Sequence, residues 1–178
     1  MLLRDRGMKM KANRLVQLAL LATIALTIFV VELRIPNPMP IPGVKLGLAN
    51  IVTVYAVYYY RAKELLLIVL TRIILGAMFS GQIMSLLYSL SGAMLCLAGM
   101  LLLRRVIPEK YLWVSSILGA VLHNIGQILA AMLVLRPPAV LAYFPILLVS
   151  GCLAGAFTGL CAKTIVGRKL RAFDNPND

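Results

Sequence analysis

The sequence predicts an all-α integral membrane protein with six transmembrane helices and both termini in the cytoplasm. Hydrophobic residues make up 61% of the 178 residues and charged residues only 13%, more apolar side chains than a soluble domain of this size buries. Apolar runs alternate with short polar segments, and most of them are long enough to cross most of a hydrocarbon core of about 30 Å. The net charge of +12 comes from basic residues that flank those runs, which is typical of membrane proteins and argues against nucleic-acid binding.

The apolar runs define the predicted helices and one transmembrane domain. The helices are predicted at residues 15–31, 46–60, 65–80, 83–103, 111–135 and 139–162. The domain, residues 15–162, lies between a basic cytoplasmic tail (1–14) and a second tail (163–178) that is basic and then polar. No small-residue cleavage site follows the first apolar run, so we expect a retained helix and not a signal peptide.

The distribution of basic residues predicts the orientation. With the N-terminus inside, the outer segments contain only Arg34, Lys45 and Arg136, whereas the inner loops and tails contain nearly all the other lysines and arginines. This asymmetry predicts cytoplasmic termini in the cell membrane. The segment after the first helix then faces outside. It holds alternating prolines from Pro36 to Pro42, which exclude a helix and predict a stiff, extended segment.

Arg72 is the basic residue that the loops do not explain. It lies near the middle of the third predicted helix, where a charged side chain costs at least about 2.5–3.5 kcal/mol on insertion scales. One interpretation is a structural arginine that reaches the interface or bonds to carbonyl groups. The other is an arginine that faces a wet cavity and binds an anionic or strongly polar group.

Polar residues on the neighbouring helices favour a binding pocket. His123, Asn124 and Gln127 share about one face of the fifth helix, because residues three and four apart are neighbours on a helix. Asn50 lies at a comparable depth in the second helix. We predict that these side chains converge with Arg72 in the outer half of the bundle, with two charged residues at the mouth of the pocket, Lys45 and Glu32. The set favours substrate binding, and we predict no catalytic residue.

Small residues predict close packing, and the cysteines predict no metal site. The stripe Gly151, Gly155 and Gly159 allows close approach of another helix, either from this chain or from another subunit; we favour packing within the chain. All three cysteines lie inside apolar runs without metal-ligand spacing. We therefore interpret them as small buried hydrophobic residues and expect no metal or cofactor.

Two segments support a family resemblance. Residues 42–52 (PGVKLGLANIV) and 119–127 (GAVLHNIGQ) resemble signatures of the Gx transporter family, also labelled heptaprenyl diphosphate synthase component I. That family is similar to the substrate-binding S components of energy-coupling factor (ECF) transporters. S components are six-helix membrane proteins that capture a vitamin or a similar small molecule from outside.

The resemblance implies partners and a docking face. It implies that the chain docks onto a transmembrane coupling subunit driven by two cytoplasmic ATPases. Small residues of the first helix, Ala19 and Thr23, would belong to the docking face, where the family usually has alanine at both positions. The residues alone already indicate a small face on the first helix, from Ala19 and Thr23 and from Ala22 and Ala25. This face is similar to the glycine stripe but weaker, and it could serve an external membrane partner. The loop from Pro36 to Lys45 would be the external gate.

The enzyme label conflicts with the acidic residues. Prenyl diphosphate synthases hold magnesium diphosphate with aspartate-rich motifs, since Mg²⁺ prefers oxygen ligands. This chain has six acidic residues, none of them clustered, and it has no GxxxxGK[ST] motif for ATP. We therefore expect a non-enzyme that captures a small vitamin-like, anionic or isoprenoid- or quinone-related metabolite. The alternative is a noncatalytic membrane partner of a heptaprenyl diphosphate synthase in menaquinone side-chain synthesis, and a weaker one is a solitary transporter or channel.

Overall fold

A computed structural model describes residues 2–35, 47–81, 83–135 and 144–173 of the chain. These residues form α-helices and one short 3-10 helix (Glu109–Tyr111), and no strand occurs in these ranges. The α-helices are α1 (Leu2–Glu32), α2 (Asn50–Tyr59), α3 (Ala62–Ser80), α4 (Ile83–Leu103), α5 (Leu112–Leu135) and α6 (Phe144–Phe173). The all-α prediction is therefore confirmed.

Four of these helices are long and apolar enough to cross a membrane. The spans are Ala12–Glu32, Leu86–Leu103, Glu109–Val134 and Phe144–Val166. Large apolar side chains face outward along them, among them Leu133 (82% exposed) and Leu153 (68% exposed), as expected for a lipid-facing surface and not for a water-facing one. The protein is thus a multi-pass membrane protein.

The other two helices differ from the predicted spans for separate reasons. α2 has ten residues, which is about 15 Å at 1.5 Å per residue and half of the hydrocarbon thickness. Residues 47–49, predicted to be helical, instead form a turn. α3 has nineteen residues, but Lys63, Glu64 and Arg72 reduce its apolar character.

The short α2 is the central element of the bundle. It contacts each of the other five helices, and its Ala56 and Val57 are fully buried. Around it, α4, α5 and α6 pack side by side in antiparallel order, and α1 packs mainly against α3. α1 is the least enclosed of the four long apolar spans, with only 22% of its apolar window buried.

The glycine stripe of α6 packs within the chain, as the sequence favoured. A Cβ atom added at Gly155 would lie 2.8 Å from Ile117 Cα of α5. One added at Gly159 would lie 2.7 Å from Trp113 Cα of the same helix. Because such distances are shorter than real carbon contacts, only glycine permits this approach of α5 and α6.

Polar contacts fix the end of the bundle at which α2 ends and α3 begins. Arg14 of α1 forms two hydrogen bonds to the carboxylate of Glu64 on α3, at 2.8 and 2.9 Å, and its guanidinium lies 4.3 Å from the ring centre of Tyr60. Arg104 Nη1 donates to the carbonyl oxygens of Val57 and Tyr60. These bonds satisfy carbonyls that the end of α2 leaves free.

The tyrosines at the end of α2 form further hydrogen bonds at this end of the bundle. The Tyr58 hydroxyl lies 2.8 Å from Ser115 Oγ, and the Tyr59 hydroxyl donates to Glu109. These side chains are partly buried and connect α2 to the segment that precedes α5 and to α5 itself.

The first and last helices extend into the segments that the sequence predicted as tails. α1 begins at Leu2 and α6 continues to Phe173, so most of both tails is helical. Of the cysteines, Cys96 is buried as expected, whereas Cys152 is exposed on the outside of α6. That position is lipid-facing, because α6 turns its glycine stripe toward α5 instead.

Candidate functional site

A buried arginine lies in the half of the bundle where α1 ends and α2 begins. Arg72, in the middle of α3, is only 5% exposed. Its Nη1 donates a hydrogen bond to Asn50 Oδ1 at the start of α2, at 3.2 Å. Two of the residues that the sequence predicted to converge, Arg72 and Asn50, are therefore in direct contact.

Glu32 lies inside the site and not at its mouth, where the sequence had placed it. α1 stays helical through Glu32, and the side chain is only 6% exposed. Its Oε1 accepts a hydrogen bond from the backbone nitrogen of Gly47, at 2.6 Å. It lines the same small cavity as Arg72, whose formal charge is opposite. A buried arginine needs such a counter-charge, which explains why the carboxylate lies inside.

A small cavity separates these residues from α5. His123 and Gln127 of α5 line it together with Glu32, Arg72 and Ser89, the last from α4. Its volume is about 20 Å³, enough for about one water molecule. The predicted pair His123 and Gln127 thus faces the same space as Arg72.

Three residues that line this cavity each have a buried polar atom without a hydrogen-bond partner among the described residues. The atoms are Arg72 Nε, a donor, Gln127 Oε1, an acceptor, and His123 Nδ1, which donates or accepts according to the ring tautomer. Gln127 is only 1% exposed. Because buried polar groups in native proteins are nearly always paired, such atoms indicate a place for water or a ligand.

Asn124 points away from the cavity. Its Nδ2 donates to the carbonyl oxygen of Leu147 on α6, at 2.6 Å, and it occupies the space that a side chain at Gly151 would take. One residue along an α-helix turns the side chain by about 100°, since a turn has 3.6 residues. Asn124 therefore joins α5 to α6, while His123 faces the cavity.

Gly47 holds three parts of the site together and was missed by the sequence analysis. Besides donating to Glu32, it accepts a hydrogen bond from the Asn50 backbone nitrogen, at 2.9 Å, and its φ of +79° favours glycine. An added Cβ would lie 3.1 Å from Asn50 Nδ2 and 3.9 Å from His123 Nε2. Its position just before a helix start was the available signal. Ser89 was also missed, since it lies in an apolar run without a distinctive pattern.

A second cavity adjoins the first. It measures about 10 Å³ and shares Gly47 with the lining of the first cavity. Asn50, whose side chain bonds to Arg72, also lies on its wall. Ser116 of α5 and Thr158 of α6 lie on its wall and form a hydrogen bond of 3.0 Å. Asn50 therefore stands between two polar spaces in the bundle.

The other predicted residues have different surroundings. Lys45 and the proline-rich loop before it lie outside the described residues. On α1, Ala19 and Thr23 are exposed and Ala22 is partly exposed, whereas Ala25 is buried. The Thr23 hydroxyl donates to the Ala19 carbonyl oxygen of its own helix, at 2.9 Å, so it presents little polarity to a partner.

A larger groove among the described residues lies elsewhere, and its lining is mostly apolar. It measures about 360 Å³ between α3 and α4 near Gly81, and apolar side chains line it, including Ile74, Met78 and Ile83. Met78 and Ile83 are among the most exposed side chains of the chain. This groove is lipid-facing surface, and the small polar cavity at Arg72 is the better candidate site. No group of three metal-ligating side chains occurs in the described part of the chain.

Comparison with known proteins gives one family. Neither a curated protein nor a solved structure matches the chain at a significant level. The family model for heptaprenyl diphosphate synthase component I matches residues 21–165, which include all four long apolar spans in large part and every residue of the site described above. The chain therefore belongs to the heptaprenyl diphosphate synthase component I family.

Proposed function

We propose that this protein is the substrate-binding subunit of an ECF-type uptake transporter in the cell membrane. It captures a small vitamin-like, anionic or isoprenoid- or quinone-related metabolite from outside, with both termini in the cytoplasm. A coupling subunit and two ATPases then drive its release inward. The observation that carries this proposal is the polar cavity at Arg72, whose walls come from α1, the turn before α2, α3, α4 and α5.

The composition of the cavity supports binding. Arg72, Asn50, His123 and Gln127 offer donors and acceptors from three helices, and Arg72 Nε and Gln127 Oε1 have no partner among the described residues. The cavity of about 20 Å³ is much smaller than a metabolite, so its walls must move apart on binding. Ligand sites are usually concave and enclose most of the ligand. A cavity with walls from several helices could enclose a ligand that enters from one face of the membrane.

The first experiment tests the pocket. Arg72→Leu alone would leave the buried Glu32 without its counter-charge, so we combine it with Glu32→Gln. The purified double variant should fold, as judged by size-exclusion chromatography, and should lose the small molecule that mass spectrometry detects in the wild type. Normal retention of that molecule would show that the pocket lies elsewhere.

The second experiment tests the docking face of α1. Ala19→Phe adds bulk at an exposed small residue, so co-purification of ATPase subunits in mild detergent should fall. Ala98→Phe on α4, at another exposed alanine, is the matched control and should leave co-purification unchanged. Equal effects of the two substitutions would contradict docking through α1.

The family name favours a second function. Heptaprenyl diphosphate synthase component I suggests a membrane component associated with a prenyl diphosphate synthase, which would make the chain a noncatalytic partner of a soluble prenyltransferase in menaquinone side-chain synthesis. The same co-purification separates the two functions. Recovery of a prenyltransferase without ATPases, and without a bound small molecule, would favour this second function.

A further inference from the structure

We propose that the cavity accepts a net-neutral polar group which offers both a hydrogen-bond acceptor and a donor, such as a carboxamide, and that it discriminates against carboxylates and diphosphates. This inference rests on the proposed capture function and narrows its substrate class. It follows from the place of Glu32, which the sequence had put outside the pocket.

The formal charges of the described residues that line the cavity cancel. Among these residues, Arg72 and Glu32 are the ones with a formal charge, and the two charges are of opposite sign. Both side chains are more than nine-tenths buried and line the same small space. A ligand with a negative charge would add a buried charge without a partner, which is unfavourable in a medium of low dielectric constant.

Glu32 is held in place, so that an anion does not easily displace it. Its Oε1 accepts the short hydrogen bond of 2.6 Å from the Gly47 nitrogen. Gly47 in turn accepts from the Asn50 nitrogen, and Asn50 Oδ1 accepts from Arg72. The carboxylate, the turn and the guanidinium therefore form one connected network, and displacement of Glu32 would break the bond that joins the turn at Gly47 to α1.

The atoms without partners require both kinds of hydrogen bond. Arg72 Nε needs an acceptor and Gln127 Oε1 needs a donor. His123 Nδ1 is also unpartnered and can take either role according to the ring tautomer. A carboxylate has acceptor atoms only, whereas a carboxamide has one carbonyl oxygen and two N–H donors. A carboxamide can therefore satisfy both sites and add no charge. A single water molecule also has both functions and fits the present volume, so it is the competing occupant.

The experiment uses matched probes on the purified full-length protein in detergent. The probes are nicotinamide and nicotinate, benzamide and benzoate, and pyrophosphate, with binding read from thermal shifts and from native mass spectrometry. We expect each carboxamide to bind the wild type at least about tenfold more tightly than its carboxylate, and pyrophosphate to give no shift.

Variants test whether Glu32 sets this preference. Glu32→Gln leaves Arg72 as a lone charge and should reverse the preference toward the carboxylates. Should that variant fold poorly, Glu32→Gln combined with Arg72→Gln restores neutrality, and this double variant should bind carboxylates no better than carboxamides. Glu109→Gln, at the opposite end of the bundle, is the matched control and should keep the wild-type preference.

The results that would overturn the inference are separate from those against the capture function. Tighter binding of a carboxylate or of pyrophosphate to the wild type, lost on the Arg72→Gln substitution, would refute the neutral substrate and leave capture intact. The same holds if Glu32→Gln does not change the preference. Absence of Arg72-dependent binding by every probe would indicate a bound water only and would count against both.

Discussion

Gly47 is the residue on which the geometry of the site depends. It carries a positive φ of +79°, and its backbone bonds to both Glu32 and Asn50. A side chain at this position would strain the backbone and press on the Asn50 amide, 3.1 Å from the added Cβ. Stability and binding should therefore respond together to substitution here.

The prediction for this residue compares two glycines. Gly47→Ala should lower the free energy of unfolding by about 1–2 kcal/mol through backbone strain and weaken ligand binding. Gly81→Ala is the control: its φ of +65° brings similar strain, but no atom lies within 4 Å of an added Cβ. Thermal unfolding in detergent should show a loss for both variants and a binding defect only for Gly47→Ala. Equal binding by the two variants would show that Gly47 is merely a turn residue.

Glu64 makes stability depend on pH. Its hydrogen bonds from the Arg14 side chain and, less strongly, from the Arg61 backbone hold the pKa of its carboxyl at about 2, below the ordinary 4.5. Because the folded pKa is the lower one, the stabilisation is fully present above about pH 4.5 and is lost as the pH falls toward 2. Arg14 is 42% exposed and Glu64 is 20% exposed, so the pair contributes less than about 1 kcal/mol.

Substitution of Glu64 checks this account. Glu64→Gln should be less stable than the wild type at pH 7, and the difference should disappear as the pH approaches 2. Lys63→Gln, at an exposed neighbouring position, should give a difference that stays constant over the same range. A stability difference for Glu64→Gln that does not change with pH would contradict the lowered pKa.

At the scale of helices, the contact between α5 and α6 depends on missing side chains. Gly155 lies directly against the backbone of α5, so Gly155→Ala places a Cβ 2.8 Å from Ile117 Cα and 2.9 Å from Ala120 Cβ. The two helices must separate, which should cost about 1–3 kcal/mol, as overpacking does. Cys152→Leu adds more volume on the exposed side of the same helix and should have little effect. Unfolding in detergent measures both, and equal losses would indicate that the stripe does not determine this packing.

The sequence predicted some helices well and others poorly, for physical reasons. α4 has the predicted bounds because Gly81 precedes it and Arg104 and Arg105 follow it, and these residues mark its ends in the sequence. The start of α2 was predicted too early, since residues 46–49 are as apolar as the helix. Apolar composition alone does not reveal the turn at Gly47.

The same holds for the site. Arg72 was predictable because a charge in an apolar helix is conspicuous, and His123 and Gln127 followed from their spacing. Asn124 shares the face only approximately, and its contact with Leu147 depends on where α6 lies. Glu32 was misplaced since the sequence does not show that the end of α1 lies within reach of the middle of α3.

Across the whole molecule, the two ends of the bundle differ in the interactions that hold their helices together. The half that holds Arg14, Glu64 and Arg104 is fixed by the Arg14–Glu64 ion pair, the Arg104 and tyrosine hydrogen bonds and much of a large apolar core. The other half holds the cavity, atoms without partners and the start of α2. Since α1 is also the least enclosed long span, we expect binding to change mainly the cavity half and the position of α1.

The most direct measurement is mass spectrometry of the small molecules that co-purify with the protein. If the chain captures a substrate at Arg72, one small molecule should be released from the denatured wild type. The Glu32→Gln and Arg72→Leu double variant, purified in parallel, should release none. A wild type that releases no more than this variant, or a variant that retains the same molecule, would contradict the proposed site and with it the capture function.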